Sequence, residues 1–356
     1  MFRFNPQTLK KLRRFREIKR GYYSFLILAG VLVISIFGEL LINNRAIVVS
    51  YQGELFFPTY TSFHPGTDFG FDYSYETNYR DLQARFRAEG NPDNWVVMPL
   101  VPYSAYENHT TNGVFKPEPP NAGERHFLGT DTTSRDILAR LFYGTRIALF
   151  FSIAFMIAVY AIGITIGCAM GYFGGAFDLF FQRVIEIWSN IPFLYMVIIV
   201  FSVIPATYSI PTRIGILLTV LVLFSWTGMT YYMRTETYKE KARDYIAAAR
   251  VIGASNTRII FRHVLPNVLA TLVTFMPFTM VAAITSITAL DFLGFGLPPP
   301  TPSLGELLKQ GTATLRTAPW IVTSAFGTLV ILLTLVTFIG EAIRESFDPK
   351  KFTIYK

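Results

Sequence analysis

The chain has 356 residues, of which 51% are hydrophobic and 16% charged, with a mean hydropathy of +0.37. Soluble chains carry about 25% charged residues, so this composition excludes an ordinary soluble enzyme and points to an integral membrane protein. The formal net charge of +8 does not imply a nucleic-acid partner: eight Lys/Arg against one Glu fall in residues 1–21, directly before the first apolar run, with no soluble module to build a basic face.

Residues 1–21 therefore form a basic tail of the kind that flanks a membrane helix on its cytoplasmic side. A helix needs about 20 apolar residues to cross the hydrocarbon core. The run Tyr22–Ile42 meets that need and predicts a first span over residues 22–43. It is too long for a typical signal peptide and has no clear small-x-small cleavage site, so it reads as retained.

Residues 44–143 then lie outside, with eight Lys/Arg against twelve acids. The part from 44 to 126 is too long for a connector. "YQGELFFPTYTSFHPGTDFGFDYSYETNY" is dense in aromatics, Gly and Pro, and predicts a compact, loop-rich cap. "RDLQARFRAEG" predicts a short helix closed by Gly90, and "KPEPPNAGERH" an extended linker. Two roles stay open: contact with a soluble partner or arriving substrate, and packing over the outer ends of the spans. Asn108 opens an N-H-T sequon, a pattern short enough to arise by chance.

Four more runs reach span length: Ile147–Phe173, Ile214–Tyr232, Val268–Leu290 and Trp320–Gly340. A shorter run, Ile191–Ile204, is bounded by Pro192 and Pro205 and extends backward through "FDLFFQRVIEIWSN", where Arg183 and Glu186 can pair. Gly163, Gly167 and Gly171 recur every four residues and mark a helix-packing face. Pro277 predicts a kink in the fifth span. Six spans put both termini on one side, and the basic tail makes that side the cytoplasm. Residues 233–267 fall on it, with seven Lys/Arg against three acids, and Lys350, Lys351 and Lys356 of the C-terminal tail (344–356) agree.

Charge is scarce within the spans; Glu39 and Asp291 lie at span ends. That argues against an ion-coupled carrier or channel, although a carrier that binds ions through backbone carbonyls stays open. The lone cysteine, Cys168, and four scattered histidines (His64, His109, His126, His263) make neither an internal disulfide nor a metal site. No H-E-x-x-H or nucleophile–base set supports an intramembrane enzyme, and Asp291 reads as an acid at the outer interface. The chain also lacks G-x-x-x-x-G-K-[ST], so it has no phosphate cradle of that type.

The cytoplasmic segment is the most informative. "RTETYKEKARDYIAAARVI" predicts a helix over 234–252 that continues the fourth span, with a narrow waist at Ala247, Ala248 and Ala249. Gly253 is its stop, Ser255 or Asn256 caps a second helix "TRIIFRHVL", and Pro266 marks the turn back to the membrane. Such a hairpin is too short to bury its own core. It either receives another protein or lies on anionic lipid.

"AAARVIGASNTRIIFRHVLPN" resembles the EAA loop of type I ABC importer permeases. The matching positions are Ala248, Ala249, Gly253, Leu265 and Pro266, with Asp244 resembling an acid often present in the peptide-transport branch. Ala247 stands where the family has Glu, which puts that carboxylate's contact in doubt. "LGTDTTSRDILARLFYGTRIAL" is similar to a segment of the dipeptide and oligopeptide C-type permeases, with Ser134 in place of the usual Gly. "GYFGGAFD" and "FLGFGLPPPTPSLGELL" resemble the same branch, with Leu304 where Trp is common, so the likeness covers about residues 127–350. The long aromatic insert and basic start look like a narrower group, the permeases of peptide and microcin C import systems.

The resemblance implies an all-α membrane protein of six helices in the type I importer architecture, with a long loop-rich periplasmic insert after the first helix. It implies a five-helix core over 144–343, with a coupling helix at about 234–267 seated in a groove of an ATPase. The chain would bind no cofactor; ATP and magnesium would sit on partner ATPase subunits. Its other partners would be a second, B-type permease subunit, a periplasmic peptide-binding protein and the lipid bilayer. Its place would be the bacterial inner membrane, with both termini cytoplasmic.

Overall fold

The computed structural model describes residues 6–110, 113–205 and 207–347. Lys350, Lys351 and Lys356 lie outside them. A basic helix α1 (Pro6–Glu17) leads into the first apolar helix α2 (Lys19–Ile36), which breaks at Phe37 before a single turn α3 (Gly38–Leu41). After the insert come α5 (Ile137–Phe173), α6 (Gly175–Ser189), α7 (Phe193–Val203) and α8 (Ile210–Lys241). The chain then makes α9 (Asp244–Val251), α10 (Asn256–Ile259), α11 (Leu265–Leu272), α12 (Met276–Leu293), α13 (Leu304–Ala313) and α14 (Pro319–Phe347).

Among the described residues, five helices (α2, α5, α8, α12, α14) are long and apolar enough to cross a membrane, and a sixth span forms if α6 and α7, bent by 73°, count as one. The predicted weak span is thus a broken one: Pro192 stands just before α7, where a missing N–H costs no helical bond. Arg183 and Glu186 do pair, at 2.5 Å. The fifth span also departs from expectation. It is interrupted rather than kinked, because Thr274 and Phe275 bond back only three residues, to Thr271 and Leu272, and α12 starts afresh with Pro277 in its first turn.

Helix α5 is the central post. Its glycine face meets α8 backbone to backbone: a methyl group on Gly167 would lie 2.5 Å from the Thr230 carbonyl, and one on Gly171 2.6 Å from the Arg234 carbonyl. At Gly163 the neighbour is the Met229 side chain, at 2.6 Å. Only glycine permits that approach. Phe155, Val159, Leu217, Leu221, Met233 and Ile287 fill the core between α5, α8 and α12. Helix α2 packs instead on α14, where Gly21 leaves room for Ala342.

The insert is the expected compact, loop-rich cap, and it is organised around a small sheet. Strands β1 (Val48–Tyr51), β2 (Glu54–Phe56) and β3 (Trp95–Val97) form an antiparallel sheet in the order β2-β1-β3. Gln52 and Gly53, with φ of 53° and 83°, make the two-residue turn that closes the hairpin. The predicted helix is present as α4 (Tyr79–Glu89), capped by Asn78 and ended by Gly90 in the left-handed conformation. Tyr79, Leu82 and Phe86 pack with Val49 and Phe69 beneath the sheet. The aromatics that suggested loops are this small core. The stretch predicted as a linker also folds back: Thr130 donates to the Glu118 carbonyl at 2.9 Å and Asn121 to that of His126 at 2.8 Å.

Candidate functional site

At the membrane face opposite the insert, α8 ends at Lys241. The sequence predicts one helix over 234–252; the structure breaks it at Ala242 and Arg243. Arg243 is extended (φ −77°, ψ 144°), and a new helix, α9, begins at Asp244, whose charge suits a helix N-terminus. The chain then turns at Gly253, whose φ of 84° favours glycine. Ser255 caps α10 by accepting from the Arg258 N–H at 3.3 Å. A π-turn over Ile260–Val264 leads to Leu265 and Pro266, which open α11. Asp244, Ala247, Ala248, Ala249, Gly253, Leu265 and Pro266 therefore belong to one helix–turn–helix knob.

The knob has an anchored base and a bare tip. Ile246, Ile259 and Val264 are buried in the core shared with α5 and α8. Tyr172, at the end of α5, donates to Asn256 Oδ1 at 2.7 Å. Its carbonyl accepts from Lys241 Nζ at 2.5 Å, and Arg250 lies over its ring at 5.5 Å. Tyr245 bridges Glu240 and Asn267 at 2.5 and 2.8 Å, tying the root of α8 to α11. A second clasp holds α6: Asp178 takes both Arg234 nitrogens, at 2.5 and 2.6 Å, and the Tyr238 hydroxyl at 2.9 Å. By contrast Val251 and Ile252 are 89% and 85% exposed, Phe261 is exposed, and nothing lies within 4 Å of a methyl group placed on Gly253. Ala247 and Ala248 are exposed too, with Ala249 half-buried.

Between the knob and the insert, two cavities open among α5, α6, α7, α8 and α12. One, of about 450 Å³, is lined by Phe155, Gly228, Tyr232 and Thr279; the other, of about 290 Å³, by Trp188, Ser189 and Thr227. They share Ser225 and Ser286. These hydroxyls carry no periodic sequence signal, and sequence reasoning missed them.

It also missed a buried ionic clasp on the insert side. Arg135 joins Asp131 at 2.8 Å to Glu306 of α13 at 2.9 Å. Arg140, fully buried, also bonds Glu306 and donates to the carbonyls of Ala105 and Pro300 at 3.0 and 3.1 Å. Burial alone would raise the Asp131 carboxyl, but Arg135 and Arg140 outweigh it and hold it below the usual carboxylate range. Ser134, standing where the resembled family has Gly, adopts φ 60° so that Asp131 can accept backbone N–H bonds from Thr133 and Arg135. Asp291, near the insert-side end of α12, is likewise buried within the protein: it accepts from the Leu297 N–H at 2.7 Å and from the Ser303 hydroxyl. Among the described residues no group of three or more His, Cys, Asp or Glu could hold a metal ion.

Comparison with known proteins fits this arrangement. Residues 163–352 match the family described as binding-protein-dependent transport system inner membrane component. The chain is 39% identical to the inner membrane ABC transporter permease protein YejE of Escherichia coli, covering 99% of both chains. It is 36% identical to the peptidoglycan transport system permease protein YejE of Agrobacterium fabrum, over 98% of this chain and 94% of that one. It is 33% identical to the dipeptide transport system permease protein DppC of Haemophilus influenzae, over 70% and 83%. The chain thus belongs to the binding-protein-dependent transport system inner membrane components, as a multi-pass permease subunit of an ABC transporter.

Proposed function

We propose that this permease forms half of a translocation path for peptides and that its knob is the coupling element through which ATP hydrolysis drives uptake. The observation that carries this reading is the contrast within residues 234–267: a base locked to α5, α6 and α8, and a tip of Val251, Ile252, Gly253 and Phe261 that no element among the described residues covers. A groove in an ATPase subunit is the fitting cover. The tip is apolar and flanked by Arg250, Arg258 and Arg262, so an acidic-rimmed apolar groove suits it. The absent carboxylate at Ala247 agrees: a Glu there would sit one turn from Arg243 and three residues from Arg250, and would be neutralised within the helix.

The relatives' names mention dipeptide and peptidoglycan, which share peptide chemistry. A peptide cargo, including peptide-nucleotides like microcin C, fits a path lined by small hydroxyls that offer hydrogen bonds without side-chain pockets. The assembled importer would hold a second permease, ATPases carrying ATP and magnesium, and a peptide-binding protein on the insert side. The basic tail sets the knob and both termini in the cytoplasm.

Gly253→Trp tests the coupling. It should leave the ATPase subunits bound and hydrolysing ATP while peptide uptake falls at least about tenfold. Gly253→Asn, which tolerates a left-handed backbone, should retain uptake. Normal uptake by Gly253→Trp with its ATPases bound would count decisively against the assignment. Sensitivity of cells to a peptide-nucleotide antibiotic, gained only with this chain present, tests the wider cargo range.

A further inference from the structure

A third cavity, of about 550 Å³, opens on the insert side between the end of α7, the start of α8, the α12–α13 turn and α13. Its walls combine apolar surface from Phe201, Phe295, Leu297 and Pro298 with four ionisable groups: Arg213, Asp291, Glu306 and Lys309. The two carboxylates are already committed. Glu306 is bonded by Arg135 at 2.9 Å, by the Gln310 amide at 2.8 Å and by Arg140. Asp291 accepts from Leu297 and from Ser303.

The two cations are not committed. Arg213 donates one bond to the Pro205 carbonyl at 2.9 Å, which leaves most of its donors available. The Lys309 ammonium lies over Gly294, 3.1 Å from where a methyl group would stand, and the side chain is exposed. The C-terminal dipole of α12 favours a cation there but takes none of its charge. Among the described residues, no carboxylate lies within ion-pair distance of either cation. Arg135 and Arg140 balance Asp131 and Glu306, and Asp291 has only neutral donors, so Arg213 and Lys309 face one remaining carboxylate and the cavity keeps a positive surplus.

We propose that this cavity binds the C-terminal carboxylate of an arriving peptide, with Arg213 and Lys309 clamping the anion and the Phe201–Phe295 wall taking the last side chain. The site rests on the peptide-transport reading. It sits at the mouth of the path, above the hydroxyl-lined cavities, and would orient the chain carboxylate-first against the permease. The anionic headgroup of a phospholipid has similar chemistry but a different source, and the test separates the two.

The complete importer is reconstituted in vesicles with its partner permease, ATPases and binding protein. ATP-driven uptake is measured for an apolar tripeptide as the free acid and as the C-terminal amide. The binding protein's own preference between acid and amide is measured separately and divided out, so each preference is that of the permease. The wild type should favour the acid, and Arg213→Gln/Lys309→Gln should raise KM for the acid about tenfold and bring the two peptides within about twofold. Arg213→Lys/Lys309→Arg should keep most of the preference, which a merely structural role would not require. An unchanged KM for the acid, or an equal loss for both peptides, overturns the site. So does a double variant that alters only the dependence on phosphatidylglycerol content. Wild-type uptake with no preference between the peptides overturns the site alone. Failure of the wild type to take up either peptide overturns the peptide reading and the site together.

Discussion

Replacing Arg140 with Met should destabilise the permease by about 3–5 kcal/mol, the range for breaking a buried ion pair from one side. Arg140 is fully buried, and its guanidinium serves Glu306, Asp131 at 3.4 Å and the carbonyls of Ala105, Pro300 and Thr301. Removing it leaves three carbonyls short of a donor and Glu306 short of a charge. The loss should fall toward the lower end, because Glu306 keeps Arg135 and Gln310 and lines an open cavity that water can enter. The sharper test is Arg140→Met/Glu306→Leu. Taking both charges away leaves Arg135 with Asp131 and no uncompensated ion, so the double variant should be more stable than Arg140→Met by about 1–3 kcal/mol. Unfolding in detergent mixtures of graded denaturing strength gives both values. A loss under about 1 kcal/mol for Arg140→Met, or single losses that simply add in the double variant, would refute the reasoning.

Gly167→Leu should prevent α5 and α8 from seating, since its first carbon alone would meet the Thr230 carbonyl at 2.5 Å; Gly215→Leu on α8, with nothing within 4 Å, should be tolerated. The yield of folded protein in membranes compares them, and equal yields would remove the packing-face argument. Two groups on the insert side should each lose a stabilising contribution on acidification. His109 is held below its ordinary value of 6.5, chiefly by burial and then by Arg80 and His126. Its contribution is therefore complete above that pH and declines as pH falls beneath it. Asp131 is also held low, so its contribution is present above the ordinary value of 3.8 and is lost as pH falls further, through the folded value. The thermal-survival advantage of the wild type over His109→Gln should shrink as pH falls from neutral to about pH 4; an advantage that grows on acidification would contradict the sign for His109.

The spans were legible because apolar length is a property of composition. Their interruptions were less so. Pro192 and Pro277 announced disturbance, but whether a proline bends a helix or starts a new one depends on whether the preceding turn tightens, as Thr274 and Phe275 do here. The glycine face was legible as a period, yet its partner on α8 was not, because Met229, Thr230 and Arg234 show no matching pattern. In the insert, Gln52-Gly53 closes a hairpin, but flanking strands of four and three residues are too short for alternation to stand out. The ionic clasp was hidden by distance along the chain: Arg135 and Glu306 are 171 residues apart. At the knob, sequence gave the turn and the cap, while the break at Ala242 and Arg243 depends on contacts that Tyr172 makes from another helix.

The placement of α8 supplies a route between the two ends of the molecule. It is one unbroken helix of 32 residues, roughly 48 Å at 1.5 Å per residue. Arg213, in its first turn, faces the cavity on the insert side, and Lys241, its last residue, roots the knob. Along the way it lines both hydroxyl-bearing cavities through Ser225 and is locked to α5 by the glycine face. On the proposed coupling role, a push on the exposed tip would reach α8 across the break at Ala242 and Arg243, through the packed Ile246 and the bonded Tyr245 and Lys241. Because α5 and α8 meet at backbone level, they cannot slide separately without opening that seam. On that proposal they would tilt together, and a common tilt would change the cavities at their faces with α7 and α12. The bent α6–α7 pair and the interruption at Val273–Phe275 are the places where the remaining spans can yield to that tilt.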